Sequence, residues 1–144
     1  NSLHYRGKQD RDRILFCMIH EKWNSEPVFP DPDTTNVFRV KDFLPDVDYF
    51  LSGHYNDKIK TKNHFMCTVT SGSPIWLSKK GKKVPPTIDE LLLCMDVEKG
   101  QYIIPNGIPT DAIKKAIGNA VCVSVAKAFA KTIIEKVFKL KHIG

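Results

Sequence analysis

Ala116-Ile117-Gly118-Asn119-Ala120-Val121 interrupts the longest helical pattern of the chain and decides how the rest is read. On its C-terminal side Cys122, Val125, Phe129, Ile133, Val137 and Leu140 recur at intervals of 3, 4, 4, 4 and 3 residues. That spacing places them on one helix face, with Lys127, Lys131 and Glu135 opposite. Thr110 or Asp111 is placed to cap the pattern, which predicts a helix running to the neighbourhood of Lys141, ~47 Å long if unbroken. Glycine inside a helix costs about 1 kcal/mol relative to alanine. Gly118-Asn119 therefore marks either a backbone that approaches a neighbour closely or a helix that starts afresh.

Ahead of that helix, Thr87 followed three residues later by Glu90 is a capping box, with Leu91, Leu92 and Cys94 on the buried side of a short helix. Phe65 to Val69, then Ser71-Gly72-Ser73, then Ile75-Trp76-Leu77 predicts a hairpin closed by a glycine turn. Lys79-Lys80-Gly81-Lys82-Lys83 predicts an exposed turn. From Asn24 to Asp48 four prolines among acidic residues predict loop, with Val37-Phe38-Arg39-Val40 as a short strand. At the front, Ile14-Leu15-Phe16-Cys17-Met18-Ile19 predicts a strand buried on both faces of an α/β sheet.

The chain has 144 residues, 42% hydrophobic and 26% charged, enough for one ordinary domain or one domain with a small insertion. No apolar run reaches the roughly 20 residues of a membrane span, so no membrane partner is expected. Cys17, Cys67, Cys94 and Cys122 are too scattered for a disulfide framework and predict reduced thiols. The five histidines lack metal-ligand spacing. The net charge is +6, and residues 54–83 carry seven Lys against Asp57 alone. A run of that kind reads either as a solvated lysine-rich surface or as the docking surface of a polyanion, since lysines on phosphates release counterions. The same stretch holds His54, Asn56, Asn63, Thr68, Ser71 and Ser73, which serve as donors or acceptors.

Two motifs then acquire meaning together. Gln9-Asp10-Arg11-Asp12-Arg13, running into the hydrophobic strand, resembles motif VIII (Gln-x-Arg-x-Arg) of the DNA cytosine-5 methyltransferases. Ile117-Gly118-Asn119-Ala120-Val121 resembles their motif X. Between these motifs the family carries a small, mostly β target-recognition domain, and here the basic stretch occupies that interval. Thr87-Ile88-Asp89-Glu90-Leu91 stands in the place of motif IX but has Asp89 where the family commonly has Arg. Leu93-Cys94-Met95 replaces the usual Arg-Leu-Gln, and Cys122-Val123 replaces two prolines after motif X. The family's Pro-Cys nucleophile, Glu-Asn-Val and Phe-x-Gly-x-Gly are absent, and the chain opens on Asn1-Ser2 rather than Met.

The resemblance implies the C-terminal part, or the small subunit, of such an enzyme. The expected fold is α/β: the C-terminal part of a Rossmann-like S-adenosylmethionine-dependent methyltransferase fold plus a small mostly-β recognition domain. Residues 1–23 would be the motif VIII segment of the catalytic domain. Residues 24–86 would be the recognition domain, and 87–144 the motif IX–X segment returning to the catalytic domain. Arg13 would contact the flipped cytosine, Arg11 would brace the site or a phosphate, and Gln9 would hold the loop. Gly118, Asn119 and Ala120 would line the S-adenosylmethionine pocket. Lys58, Lys60, Lys62, Ser71, Ser73, Lys79, Lys80, Lys82 and Lys83 would meet duplex DNA. The chain alone would be inactive, its partner being an N-terminal catalytic half on the same chain or a separate subunit. An apolar face left open by that half could pair two copies. The setting would be cytoplasmic, in a prokaryotic or phage-like restriction-modification context, with a nuclear one left open. The alternatives are a non-catalytic DNA-binding module derived from such an enzyme and an RNA cytosine-5 methyltransferase portion.

Overall fold

Lys80 and Gly81 both take positive φ, 50° and 73°, the two-residue turn that matches the twist of a hairpin and favours glycine at its second position. They join β3 (Ile75–Lys79) to β4 (Lys82–Val84). The computed structural model describes residues 1–52, 59–72 and 75–139. Lys58, Ser73, His54, Asn56, Leu140 and the predicted helix end near Lys141 lie outside them. β1 (Tyr49–Ser52) and β2 (Ile59–Thr61) complete an antiparallel sheet in the order β2-β1-β3-β4. Phe50 sits opposite Lys60 on one side and Leu77 on the other. Phe50 and Leu77 are fully buried.

The expected hairpin between Phe65–Val69 and Ile75–Leu77 is not formed. Residues 66–69 instead lie along the N-terminal segment: Asp10 N–H donates to the Met66 carbonyl at 2.8 Å, and Thr68 Oγ1 donates to the Asp10 carbonyl at 2.6 Å. The exposed turn over 79–83 is the real hairpin turn. Val37–Val40 is not a strand either. Val40 opens the short helix α1 (Val40–Phe43), whose first turn is held by the Asp42 carboxylate accepting from Arg39 N–H at 2.7 Å.

α2 (Ile88–Cys94) begins at the predicted capping box, Thr87 Oγ1 accepting from Glu90 N–H and Glu90 Oε2 from Thr87 N–H. The long helix is two helices, α3 (Thr110–Asn119) and α4 (Val123–Thr132), followed by a π-helical turn over Ile133–Val137. The two are bent by 41° at the break, and no single helix among the described residues is long and apolar enough to cross a membrane. Neither Thr110 nor Asp111 caps α3, whose N-cap is Pro109. The predicted apolar stripe does pack inward along α4 and the π-helical turn, with Cys122, Val125 and Val137 buried and Phe129 and Ile133 half-buried.

The front strand is the largest departure. Residues 14–19 pair with no strand among the described residues. Ile14, Phe16 and Met18 are 83%, 85% and 92% exposed, while Leu15, Cys17 and Ile19 are half-buried. The alternation is that of an extended segment covered on one side only. Mixed helix and a four-strand antiparallel sheet is thus the architecture, and the apolar core runs from Val40 to Val125 through both the strand-bearing and the helical segments.

Candidate functional site

Between Gly7 and Arg13 the chain is extended, so alternate side chains face the core. Gln9 and Arg11 are 0% and 1% exposed, whereas Asp10, Asp12 and Arg13 face solvent. Gln9 is fully engaged. Its amide donates to the Cys94 carbonyl at 2.9 Å, to Met95 Sδ at 2.8 Å and to Cys122 Sγ at 3.4 Å, while its oxygen accepts from Val69 N–H at 2.8 Å.

Arg11 reaches deeper. Its guanidinium donates to the carbonyls of Val69, Gly118 (2.6 Å) and Ala120 (3.0 Å). No carboxylate pairs with it among the described residues. Its charge is met instead by carbonyl dipoles at the C-terminal end of α3, the end that favours a cation. Those bonds also explain the bend. In a continuous helix the carbonyls of Gly118 and Ala120 would accept from the N–H groups four residues on. Here Arg11 takes them; Ser124 N–H, the helical donor to Ala120, turns to Asp96 at 3.4 Å, and Val123 N–H, the helical donor to Asn119, turns to the Met95 carbonyl at 3.0 Å.

Gly118 is where a close approach is required. A Cβ there would lie 2.3 Å from Ser71 N and 2.4 Å from the Thr70 carbonyl carbon, distances at which only glycine fits. The neighbour that the sequence left unnamed is therefore the chain's own backbone at Thr70-Ser71. Asn119 and Ala120 are exposed at the bend. Asn119 is the last residue of α3 and caps no helix; Ala120 is the C-cap of α3 and Cys122 the N-cap of α4.

Arg13 donates to the Asp12 carbonyl at 2.8 Å and lines a cavity of about 190 Å³ with Arg11, Tyr5, Leu15, Phe29, Val121, Cys122 and Phe129. The two motifs, over a hundred residues apart in the chain, thus meet at one wall. The Nε of Arg11 is buried without a hydrogen-bond partner among the described residues.

Neither Cys94 nor Cys122 is primed for attack. Burial, and after it the Asp96 charge, pushes Cys122 up to about 11. Burial likewise raises Cys94 well above its ordinary value, with Cys67 and Glu90 adding to the effect. A thiolate is the nucleophilic form, so both cysteines are packing groups at neutral pH. Among the described residues no three His, Cys, Asp or Glu side chains cluster as metal ligands.

The basic residues are divided. Lys60 lies on β2 with Lys62 just beyond it, and Lys82 and Lys83 lie on β4 at the opposite edge of the sheet. Lys80, Lys82 and Lys83 are exposed, as is Ser71, and Lys83 Nζ stands 4.9 Å over the Trp76 ring. Lys79 is instead bound to Asp46 at 2.9 Å and to Glu90. These two carboxylates, Glu90 foremost, raise its pKa, and its hydrogen bond in turn lowers that of Asp46.

Sequence reasoning missed Asp96 and Val69. Asp96, at φ 64°, accepts from Lys8 N–H at 3.1 Å and Ser124 Oγ at 2.6 Å, tying the segment before Gln9 to α4. Val69 meets Gln9 and Arg11 through its backbone, which carries no side-chain signature; for Asp96 the signal was an acidic residue placed just after α2.

No protein-family model, curated protein or solved structure matches the chain.

Proposed function

We propose that this chain is the target-recognition and pocket-forming portion of a DNA cytosine-5 methyltransferase, working with a catalytic half that carries the nucleophile. The observation that supports the reading is the pair of hydrogen bonds from Arg11 to the Gly118 and Ala120 carbonyls, beside a cavity that Arg11, Arg13 and Val121 line while Gly118, Asn119 and Ala120 do not. The uncovered side of residues 14–19, with Ile14, Phe16 and Met18 bare, offers a strand on which a Rossmann-like sheet in the catalytic half would continue.

A cytosine must leave the duplex to be methylated at C5. Arg13, exposed at the cavity and with one bond to its neighbour's carbonyl, would hold the base oxygen and stabilise the negative charge that attack at C6 places there. Arg11, buried and engaged, holds the wall and does not touch the base. S-adenosylmethionine would supply the methyl group. Asn119 and Ala120, open at the bend, fit a pocket wall, whereas the α-carbon of Gly118 is covered by Ser71. The exposed Lys80, Lys82 and Lys83 would engage phosphates.

The test combines this chain with the half encoded upstream or in the neighbouring reading frame and assays methyl transfer to duplex DNA. Arg13→Ala is expected to cut the rate by at least tenfold. A rate within twofold of the unsubstituted chain would remove the role assigned to Arg13. Duplex binding by the pair with no methyl transfer would leave only a DNA-binding module.

A further inference from the structure

Residues 69–71 are held by both motifs at once. Val69 N–H donates to Gln9 Oε1 at 2.8 Å, the Val69 carbonyl accepts from Arg11, and the Thr70-Ser71 backbone rests on the α-carbon of Gly118. Just upstream, Met66 and Thr68 are bonded to Asp10. Just downstream the chain enters β3, which pairs with both β1 and β4. Val69 shares one buried core with Ile75 and Leu77 of β3, so the strap packs against an inner strand of the sheet.

Resting on the reading above, we infer that residues 69–71 form a coupling strap, with Gln9, Arg11 and Gly118 as positioning residues that set the strand-bearing segment in register with the cavity of Arg13. All three are buried, so they act through other groups and not on DNA. The exposed lysines that would hold phosphates lie on the β3–β4 hairpin and not on the strap itself. Loosening the strap separates two quantities that a merely structural residue would lower together. DNA would still be bound, but the base would be presented out of register, and a small misplacement of reacting groups is costly in rate.

The experiment uses the complex of this chain with its catalytic half, a mixed pool of duplex DNA, and two variants, Gly118→Ala and Arg11→Lys. Affinity is read by fluorescence anisotropy, kcat at saturating DNA by methyl transfer, and fidelity by sequencing the methylated positions. Both variants are expected to bind duplex within threefold of the unsubstituted complex, to lose at least tenfold in kcat, and to spread methylation over more sites. An unchanged kcat with fidelity intact overturns the inference, and so does an equal fall in affinity and kcat. Should neither variant fold, amide exchange in the unsubstituted complex decides. Val69 N–H exchanging with the slowest class supports the strap, and exchange at the rate of a surface loop overturns it. An unsubstituted complex that methylates no duplex at all marks the failure of the enzymatic reading, visible before any substitution is made, and takes the strap's role with it.

Discussion

The Arg11 guanidinium donates to the carbonyl of Gly118 across 2.6 Å, from a side chain 1% exposed. The pair joins the beginning of the chain to the bend between α3 and α4. It puts a cation at a helix C-terminus in place of a continuing helical turn, and it leaves the neighbouring carbonyls of Val69 and Ala120 dependent on the same side chain.

Arg11→Met should therefore be among the most destabilising substitutions in the chain. It removes the donor to three buried or half-buried carbonyls, each of which costs about 1–3 kcal/mol when left unmade. The expected loss is about 3 kcal/mol in urea unfolding, and a loss below about 1 kcal/mol would show that water replaces the guanidinium.

Lys79 should make stability fall at both ends of the pH range. The Asp46 pKa is lowered by Lys79, so its contribution is present above the unfolded carboxylate value of about 3.9 and is lost as pH falls through the lower folded one. The Lys79 pKa is raised, chiefly by Glu90. Its contribution is whole below the unfolded value of about 10.4 and is lost as pH climbs through the raised one. Unfolding free energies from urea titration for the chain and for Lys79→Met should differ by about 1 kcal/mol at neutral pH and converge in both acid and alkali.

Thiol chemistry should distinguish one cysteine from three. Cys67, Cys94 and Cys122 are buried and Cys17 is half-buried on the open front segment. A disulfide reagent at neutral pH should modify one thiol rapidly in the folded chain and four after unfolding, with Cys17→Ser abolishing the rapid phase. Rapid reaction of two or more would mean that the core around Gln9 opens readily.

Binding to duplex DNA should weaken steeply between about 50 and 200 mM salt. Within the basic run the lysines are not equivalent. Replacing Lys82 and Lys83 by alanine should lower the salt slope, by about 0.9 for each phosphate left without its lysine. Lys79→Ala should leave the slope unchanged, because that side chain is already bound by Asp46 and Glu90. Equal effects from all three would mean that the carboxylates release Lys79 to the DNA.

Phe16→Ser should separate folding from assembly. At 85% exposure the ring contributes little to the isolated chain, and unfolding should change by less than about 0.5 kcal/mol. Association with the catalytic half, measured by co-sedimentation, should fall by at least tenfold. A large loss of stability with association intact would remove residues 14–19 from the proposed interface.

Elements governed by neighbours in the chain were legible in advance. The capping box of Thr87 and Glu90, the Lys80-Gly81 turn and the apolar stripe from Cys122 to Val137 each depend on side chains a few residues apart. The hairpin expected around Gly72 failed because Met66, Thr68 and Val69 give their polar backbone and side-chain groups to the N-terminal segment, a partner some sixty residues away. The front segment was read as fully buried because apolar composition carries no information about which side is covered.

Gly118 and Arg11 divide the two kinds of knowledge most plainly. The amino-acid sequence by itself determined that the long helix would be disturbed at Gly118-Asn119 and that its apolar stripe would face inward, because glycine's conformational freedom and helical period are local properties. Only the tertiary structure decided what disturbs it: the Ser71 backbone against the glycine and a buried arginine on the freed carbonyls. Those partners are main-chain atoms, identical in every residue, so their choice is made by how distant segments pack.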